Sequence, residues 1–299
     1  MGERWKIEQP EQLAIGEGVH RLRLSAVGGR INVLGVDGPA ALEVNRISGP
    51  PLSVELEDGE LTVKHGEDLR SGLWGWLTRG VRQEVELSIS VPPDALVEVT
   101  VVSGPVVLSN FHERVAVKGV SGEITLAGVY GPTSVSTVSG PVTVEQATDD
   151  LKVKAVSGSI TVLAGAGGDI DLNTVAGSIT VDLEDPMPGR VHAACVSGGL
   201  TVRLPHDPDV AVNITSTSGR ATTAFPEVTR SRQPGSSRLS GVIGAGTSQL
   251  KGHTVSGSIT LLRREPVEDA DIQDADIKDA DIKDATPGAS GEEGIEDAR

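Results

Sequence analysis

Hydrophobic and polar residues alternate along most of the chain with a period of two, which is the pattern of β-strands. When the chain is aligned on a recurring glycine, two apolar columns stand out, one beginning at Val99 and the other at Val106. Mostly polar residues lie beside them. Equivalent positions are 18 to 21 residues apart over most of the chain, which is too short for a strand-helix-strand unit. The pattern therefore predicts a repeating unit of strand, bend, strand and bend.

The repeat is marked by a Val-Ser-Gly motif with small variations. The motif begins at Val102, Val120, Val138, Val156, Val175, Val196, Thr217 and Val255. Successive motif glycines are 18, 18, 18, 19, 21, 21 and 38 residues apart, so one motif is missing from the last interval. A single unit cannot bury its apolar side, and stacked units would place equivalent strands about 4.8 Å apart. We therefore predict an all-β fold, a single-stranded parallel β-helix (β-solenoid) of roughly ten coils, with right-handed crossovers.

The predicted solenoid covers residues 1–264, and a low-complexity acidic tail follows at 265–299. Within the solenoid we expect irregular N-terminal coils at 10–95, regular coils at 96–225, a loop excursion at 226–250 and a last coil at 251–264. The tail repeats an Ala-Asp-Ile unit every five residues and has little apolar surface, so we expect disorder there.

An insertion at residues 64–83 departs from the repeat and carries Trp74 and Trp76. One interpretation is a cap, in which the two Trp side chains cover an end or a side of the solenoid and hide exposed strand edges. The alternative is an exposed docking patch for a partner or a membrane surface.

Composition agrees with a narrow stacked coil. The chain has 37 glycines, which suit tight corners, and only 2% aromatic residues, whose rings would overpack a thin interior. A single cysteine excludes a disulfide framework. The net charge is -16, and the tail holds 13 acidic and 3 basic residues, which argues against nucleic-acid binding. Without a signal peptide or an apolar run of about 18 residues, we expect a cytoplasmic protein, or one peripherally associated with the envelope.

Motifs for catalysis, metal binding and cofactor binding are missing from the sequence, so we expect a protein that is not an enzyme and has no cofactor. Cys195 falls in a column of small residues and is interpreted as a packing residue. Acidic residues do cluster, as they do in some β-helical enzymes that act on sugars. They are Asp169, Asp171, Asp182, Glu184 and Asp185, and the basic or imidazole residues predicted beside them are Lys152, Lys154, His192 and Arg203. We interpret this arrangement as charge compensation between stacked coils.

The most regular exposed feature is a column of threonines, which would form a flat strip of hydroxyl groups. Its members are Thr125, Thr143, Thr161, Thr180, Thr201, Thr222 and Thr260. Such a strip is a candidate ligand face for a sugar, ice or another protein. The alternative is that threonine is simply a favourable residue on an exposed strand.

The chain resembles a bacterial putative-adhesin family of unknown function. The similarity lies in Val91-Pro92-Pro93-Asp94-Ala95, in Val97-Glu98-Val99, in the Ser-Gly-x-Ile-Thr-Val units and in the segment from Thr254 to Leu262. It extends over roughly residues 10–264. The resemblance implies a β-solenoid of a kind found in cell-envelope proteins, and it carries no catalytic residues with it.

Taken together, these features predict a non-catalytic β-solenoid that acts as a binding or assembly scaffold for a protein or glycan partner. One alternative is a structural element that stacks end to end as a homo-oligomer. Another is a carbohydrate-binding or carbohydrate-active β-helix.

Overall fold

The structure is a computed structural model that describes residues 2–66 and 83–265, and regular secondary structure in these ranges consists of β-strands. Trp74, Trp76 and the tail beyond Glu265 lie outside the described residues, so the predictions made for them stay predictions. The strands are β1 Glu3–Ile7, β2 Glu11–Gly16, β3 Arg21–Gly35, β4 Ala40–Ser48, β5 Leu52–Glu57, β6 Glu60–His65, β7 Glu84–Val91, β8 Leu96–Ser103, β9 Val106–Phe111, β10 Val115–Ser121, β11 Ile124–Val129, β12 Thr133–Ser139, β13 Val142–Ala147, β14 Leu151–Ser157, β15 Ile160–Gly165, β16 Asp169–Ala176, β17 Ile179–Leu183, β18 Arg190–Ser197, β19 Leu200–Leu204, β20 Val210–Ser218, β21 Ala221–Thr223, β22 Thr229–Gln233, β23 Ser236–Ile243, β24 Ser248–Ser256 and β25 Ile259–Arg263.

Each regular coil contributes one strand to each of two parallel sheets. Sheet A contains β8, β10, β12, β14, β16 and β18, and sheet B contains β9, β11, β13, β15, β17 and β19. Equivalent residues of the repeat pair in register, as Val117 does with Val99 and Val135. The predicted β-solenoid is confirmed.

Small aliphatic side chains fill the narrow space between the two sheets. Leu108, Val144 and Val162 are fully buried, and each such burial stabilises the fold by about 1.5–3 kcal/mol. Cys195 is also buried, and its Sγ lies 3.2 Å from the carbonyl oxygen of Gly198. The interpretation of Cys195 as a packing residue is therefore confirmed.

Each Ser-Gly pair forms a corner between a sheet A strand and a sheet B strand. Gly140 has a φ of 115°, and its N–H donates a hydrogen bond of 3.0 Å to the carbonyl of Ser157 in the next coil. A Cβ at Gly140 would lie only 2.1 Å from the carbonyl oxygen of Gly122 in the coil before it. Both the left-handed backbone and the close approach of the chains therefore require glycine here.

The coil that comes last in the sequence is not the last in the stack, which corrects the sequence prediction. Strand β24 pairs with β18 on one side and β20 on the other, and β25 lies between β19 and β21. The N-terminal region shows a similar insertion, because β3 pairs with both β6 and β8 in sheet A and with both β7 and β9 in sheet B. At both ends of the stack, the order of the coils thus differs from their order in the sequence.

The prediction of a loop at 226–250 is also wrong. Strands β22 and β23 form an antiparallel hairpin there, β23 pairs antiparallel with β20, and β24 begins at Ser248. The hairpin turns at Pro234-Gly235, where Gly235 has a φ of 82°. Leu239, in β23, is fully buried. The richness in Gly, Ser and Pro that suggested a loop reflects the turn and two polar strand faces.

Antiparallel strands are found at both ends of the stack. At the N-terminal end, β1 pairs with β5, β2 with β4 and β4 with β7, so the irregular N-terminal coils predicted at 10–95 are partly antiparallel. At the other end of sheet A, every residue of β22 is exposed, and the strand carries Arg230 and Arg232. Short or charged edge strands of this kind disfavour the addition of further strands.

Candidate functional site: the corner and the threonine column

The structure places all seven predicted threonines in one column on the outer face of sheet B. From coil to coil the order is Thr125, Thr143, Thr161, Thr180, Thr201, Thr260 and Thr222, each paired with the next. The inserted strand β25 supplies Thr260 between Thr201 and Thr222, so the column is continuous. The side chains are half-buried or exposed. Ligand binding by this column stays a prediction.

A second column, which the sequence analysis did not single out, lies at the edge of sheet A just before the corner glycines. We call it the valine ladder, and its members are Val120, Val138, Val156, Val175, Val196 and Val255. Each of these side chains is between 39% and 51% exposed. The inserted strand β24 places Val255 beside Val196, because the flanking pairs Cys195–Thr254 and Ser197–Ser256 are in register. Contiguous exposed apolar side chains of this kind are a candidate interaction surface.

The signal for the valine ladder was present in the alternation itself. Val99 and Val101 are buried, so the next residue, Val102, points away from the core by the period of two. The same parity applies to the first residue of every Val-Ser-Gly motif. The sequence alone therefore indicates the direction of this residue as well as its place in the repeat.

A column of basic and neutral residues runs beside the valine ladder, two residues earlier along each strand. We call it the basic column, and in order of stacking it contains Lys64, Ser25, Thr100, Lys118, Ser136, Lys154, Asn173, Ala194, His253, Thr215 and Arg238. The column has no carboxylate. Lys118 and Lys154 are exposed and form no ion pair with any described residue. A protein with a net charge of -16 thus presents an acid-free cationic column beside its exposed valines.

A shallow depression of about 620 Å³ opens where the two columns run side by side. Lys154 and His253 lie at its sides, and Val175 and Val196 border it. Asp171 also lines it, with its carboxylate in contact with His192. A second depression, of about 650 Å³, is found near β3 and β6. Arg23 is already paired with Glu60 and Glu98 there, and the lining contains three further carboxylates, those of Glu55, Glu57 and Asp58. The first depression is therefore the better candidate for a ligand.

The acidic cluster is held in ion pairs between coils. Asp182 is buried and accepts hydrogen bonds from Arg203 and Arg264, and Arg264 also contacts Glu184 at 2.8 Å. Burial tends to raise the pKa of Asp182, but the two guanidinium groups outweigh this effect and hold the pKa below its usual value. Because Arg264 lies just after β25, the network also ties the inserted coil to its neighbours.

Asp171 shows the same arrangement on sheet A. Its carboxylate accepts a hydrogen bond of 2.7 Å from Asn173 and lies 3.2 Å from Nδ1 of His192 and 3.7 Å from Nζ of Lys152. Burial would raise its pKa, but these contacts lower the pKa overall. The predicted charge compensation is confirmed for Lys152, His192 and Arg203, whereas Lys154 contacts no carboxylate among the described residues.

The described residues show no sign of two other kinds of site. They hold no group of three or more His, Cys, Asp or Glu side chains placed to bind a metal ion. They also include no helix long and apolar enough to cross a membrane.

Comparison with known families matches residues 48–262 to the Toastrack DUF4097 model. The chain belongs to the Toastrack DUF4097 family. This agrees with the resemblance to a family of unknown function drawn from the repeats. No curated protein matches the chain.

Three solved structures show how far the similarity extends. A putative adhesin from Bacteroides fragilis is 12% identical, with 88% of this chain and 96% of that chain covered and a TM-score of 0.44. A putative cell adhesion protein from Clostridium sporogenes is 13% identical, covering 86% and 100% with a TM-score of 0.28. A putative lipid binding protein from Parabacteroides distasonis is 14% identical, covering 87% and 96% with a TM-score of 0.36.

Proposed function

We propose that this Toastrack protein is a non-catalytic binding scaffold that contacts its partner through the valine ladder, which lies beside the Ser-Gly corners. The observation that carries the proposal is the row of half-exposed valines on consecutive coils. Burial of such side chains against a partner is favourable in proportion to the apolar area removed from water. A solenoid repeats the same contact at every coil, so weak individual contacts add along its length.

The state of the acidic residues supports a non-catalytic role. A glycosidase-type site needs two carboxyl groups on either side of a bond, with one of them able to carry a proton. The carboxylates of Asp171 and Asp182 are instead committed to ion pairs that lower their pKa values. Such groups are poor proton donors near neutral pH.

The ends of the stack favour a scaffold that acts as a separate molecule over one that grows by end-to-end stacking. Antiparallel strands flank the parallel coils at both ends, and the exposed β22 presents Arg230 and Arg232 at the edge of sheet A. A second molecule that added its own β22 to this edge would bring like charges together. The side of the solenoid, and not its end, is the surface proposed for binding.

Photo-crosslinking in the native cell tests the scaffold function. A photoreactive amino acid is placed at Val156 in the valine ladder, at Thr161 in the threonine column, or at Asp37 as an exposed control in the turn after β3. We expect discrete crosslinked products at Val156 and only background at Asp37. Products at Thr161 alone would move the binding face to the threonine column. Equal yields at all three positions would contradict a scaffold with a defined binding face.

A further inference from the structure

We infer that the valine ladder and the basic column together dock onto an anionic lipid bilayer surface. The inference rests on the proposed scaffold function and names the chemistry of its partner. A bilayer of this kind offers two features at once, negative headgroups and an apolar layer just beneath them. The corner presents the two complementary features side by side.

The apolar half of this face is long and shallow. Six valines on consecutive coils, at about 4.8 Å per step, form a line of roughly 24 Å. Each of the six side chains is between 39% and 51% exposed and can therefore contact a surface that lies along the corner. Valine is short, and its methyl groups would reach only the boundary between headgroups and acyl chains. This geometry fits reversible binding at an interface.

The charged half supplies the selectivity for anionic lipid. Lys118 and Lys154 are exposed without a carboxylate partner among the described residues, and the basic column continues to His253 and Arg238. Unpaired cations near an anionic surface gain free energy from the surface potential, and each one adds to the gain. Lys154 and His253 also flank the depression of about 620 Å³, and the carboxylate that lines it, that of Asp171, is already paired with His192 and Lys152.

The composition of the face favours a bilayer over a protein partner. Hot spots of protein interfaces are enriched in Trp, Tyr and Arg, and lysine is depleted there. The ladder consists of valine alone, and the column beside it contributes lysine in its central coils. Aliphatic side chains beside lysines are instead the pairing found at membrane surfaces.

Co-sedimentation of the full chain with vesicles tests the inference. We expect binding to phosphatidylcholine vesicles that contain phosphatidylglycerol, little binding to phosphatidylcholine alone, and release at high salt. Lys118→Glu with Lys154→Glu should weaken binding by at least about tenfold. Val156→Thr with Val175→Thr, which keeps the side-chain shape and the strand propensity, should weaken it by on the order of tenfold.

The matched control is Arg114→Glu with Arg190→Glu, which changes the net charge by the same amount at the start of two sheet A strands, at the end away from the valine ladder, and should bind as the unaltered chain does. Circular dichroism melts confirm that each variant is folded. Equal losses in the control and the Lys118/Lys154 variant would overturn the inference, because binding would then follow total charge. So would loss of binding in a Trp74→Ala, Trp76→Ala variant while the corner variants bind normally.

The two proposals fail in different ways. If no vesicle binds but Val156 crosslinks to a defined protein in the cell, the lipid inference is wrong and the scaffold function stands. If the full chain does not bind the vesicles and Val156 gives no crosslinked product, both proposals are wrong.

Discussion

The corner glycines allow a sharp test of the fold, because the structure contains a matched pair of positions with nearly the same backbone. Gly140 has a φ of 115° and Gly38 a φ of 123°, so an added Cβ strains the backbone at both. At Gly38 nothing lies within 4 Å of that Cβ, whereas at Gly140 the carbonyl oxygen of Gly122 lies 2.1 Å from it. Only the Gly140 substitution forces two coils apart.

The magnitudes follow from these two effects. Backbone strain alone should make Gly38→Ala cost about 1–3 kcal/mol in the free energy of unfolding. Gly140→Ala should cost the same amount plus about 1–3 kcal/mol more, because the coils must shift to relieve the overlap.

The assay is urea denaturation followed by circular dichroism, with the m-value checked for constancy so that the shift in midpoint reports stability. Equal losses of stability in the two variants would refute the close approach of the coils at the corner. A Gly140→Ala variant as stable as the unaltered chain would refute the corner assignment as well.

Two further predictions concern ionisable groups. Asp182 has a lowered pKa in the folded state, so its stabilisation is present above the usual carboxyl pKa and is lost as the pH falls through the folded value. We expect Asp182→Asn to cost about 1–3 kcal/mol in the free energy of unfolding by urea at pH 7, and to make stability less dependent on pH in the acid range. An unchanged urea midpoint would contradict the network with Arg203 and Arg264. Burial lowers the pKa of His65 despite the opposing Pro50 carbonyl, so the unfolded chain binds its proton first and stability should fall as the pH drops below about 6.5. His65→Leu should remove that part of the pH dependence. If the free energy of unfolding of the variant still changed with pH between 7.5 and 5.5 as it does in the unaltered chain, the result would count against a buried neutral imidazole.

Much of the fold could be predicted because its determinants are local. The alternation around Val117 and Val135 fixes which side chains face the core, and the recurring glycines fix where the chain bends. These features repeat in every coil, so each copy supports the interpretation of the others.

The order of the coils could not be predicted, because it depends on pairing between strands that are far apart in sequence. Nothing local to β24 indicates that it lies between β18 and β20, and the hairpin of β22 and β23 has the composition of a loop. This order matters for the candidate site, since it places Val255 beside Val196 and Thr260 between Thr201 and Thr222.

The acidic cluster shows a second limit of sequence reasoning. Parity places Asp182 on the outer side of its strand, since Val181 before it faces the core. The structure nevertheless buries Asp182, because Arg203 from the next coil and Arg264 from the inserted one close over it. A side chain's exposure on a solenoid depends on its neighbours in the stack as well as on its own strand.

The continuity of the corner across the inserted coil is the claim on which the binding proposals rest, and one crosslinking measurement tests it directly. Ser197 and Ser256 are register neighbours, and Ser218 lies on the far side of Ser256. Neighbouring strands are about 4.8 Å apart, so Ser197 and Ser218 should be separated by about twice that distance.

Cysteine pairs are introduced in a Cys195→Ala background and treated with a short bifunctional thiol reagent that fluoresces only when both arms have reacted. The structure predicts fluorescence for Ser197→Cys with Ser256→Cys and none for Ser197→Cys with Ser218→Cys. The reverse result would mean that the coils stack in sequence order, with Thr217 in place of Val255 beside Val196, and it would contradict the account.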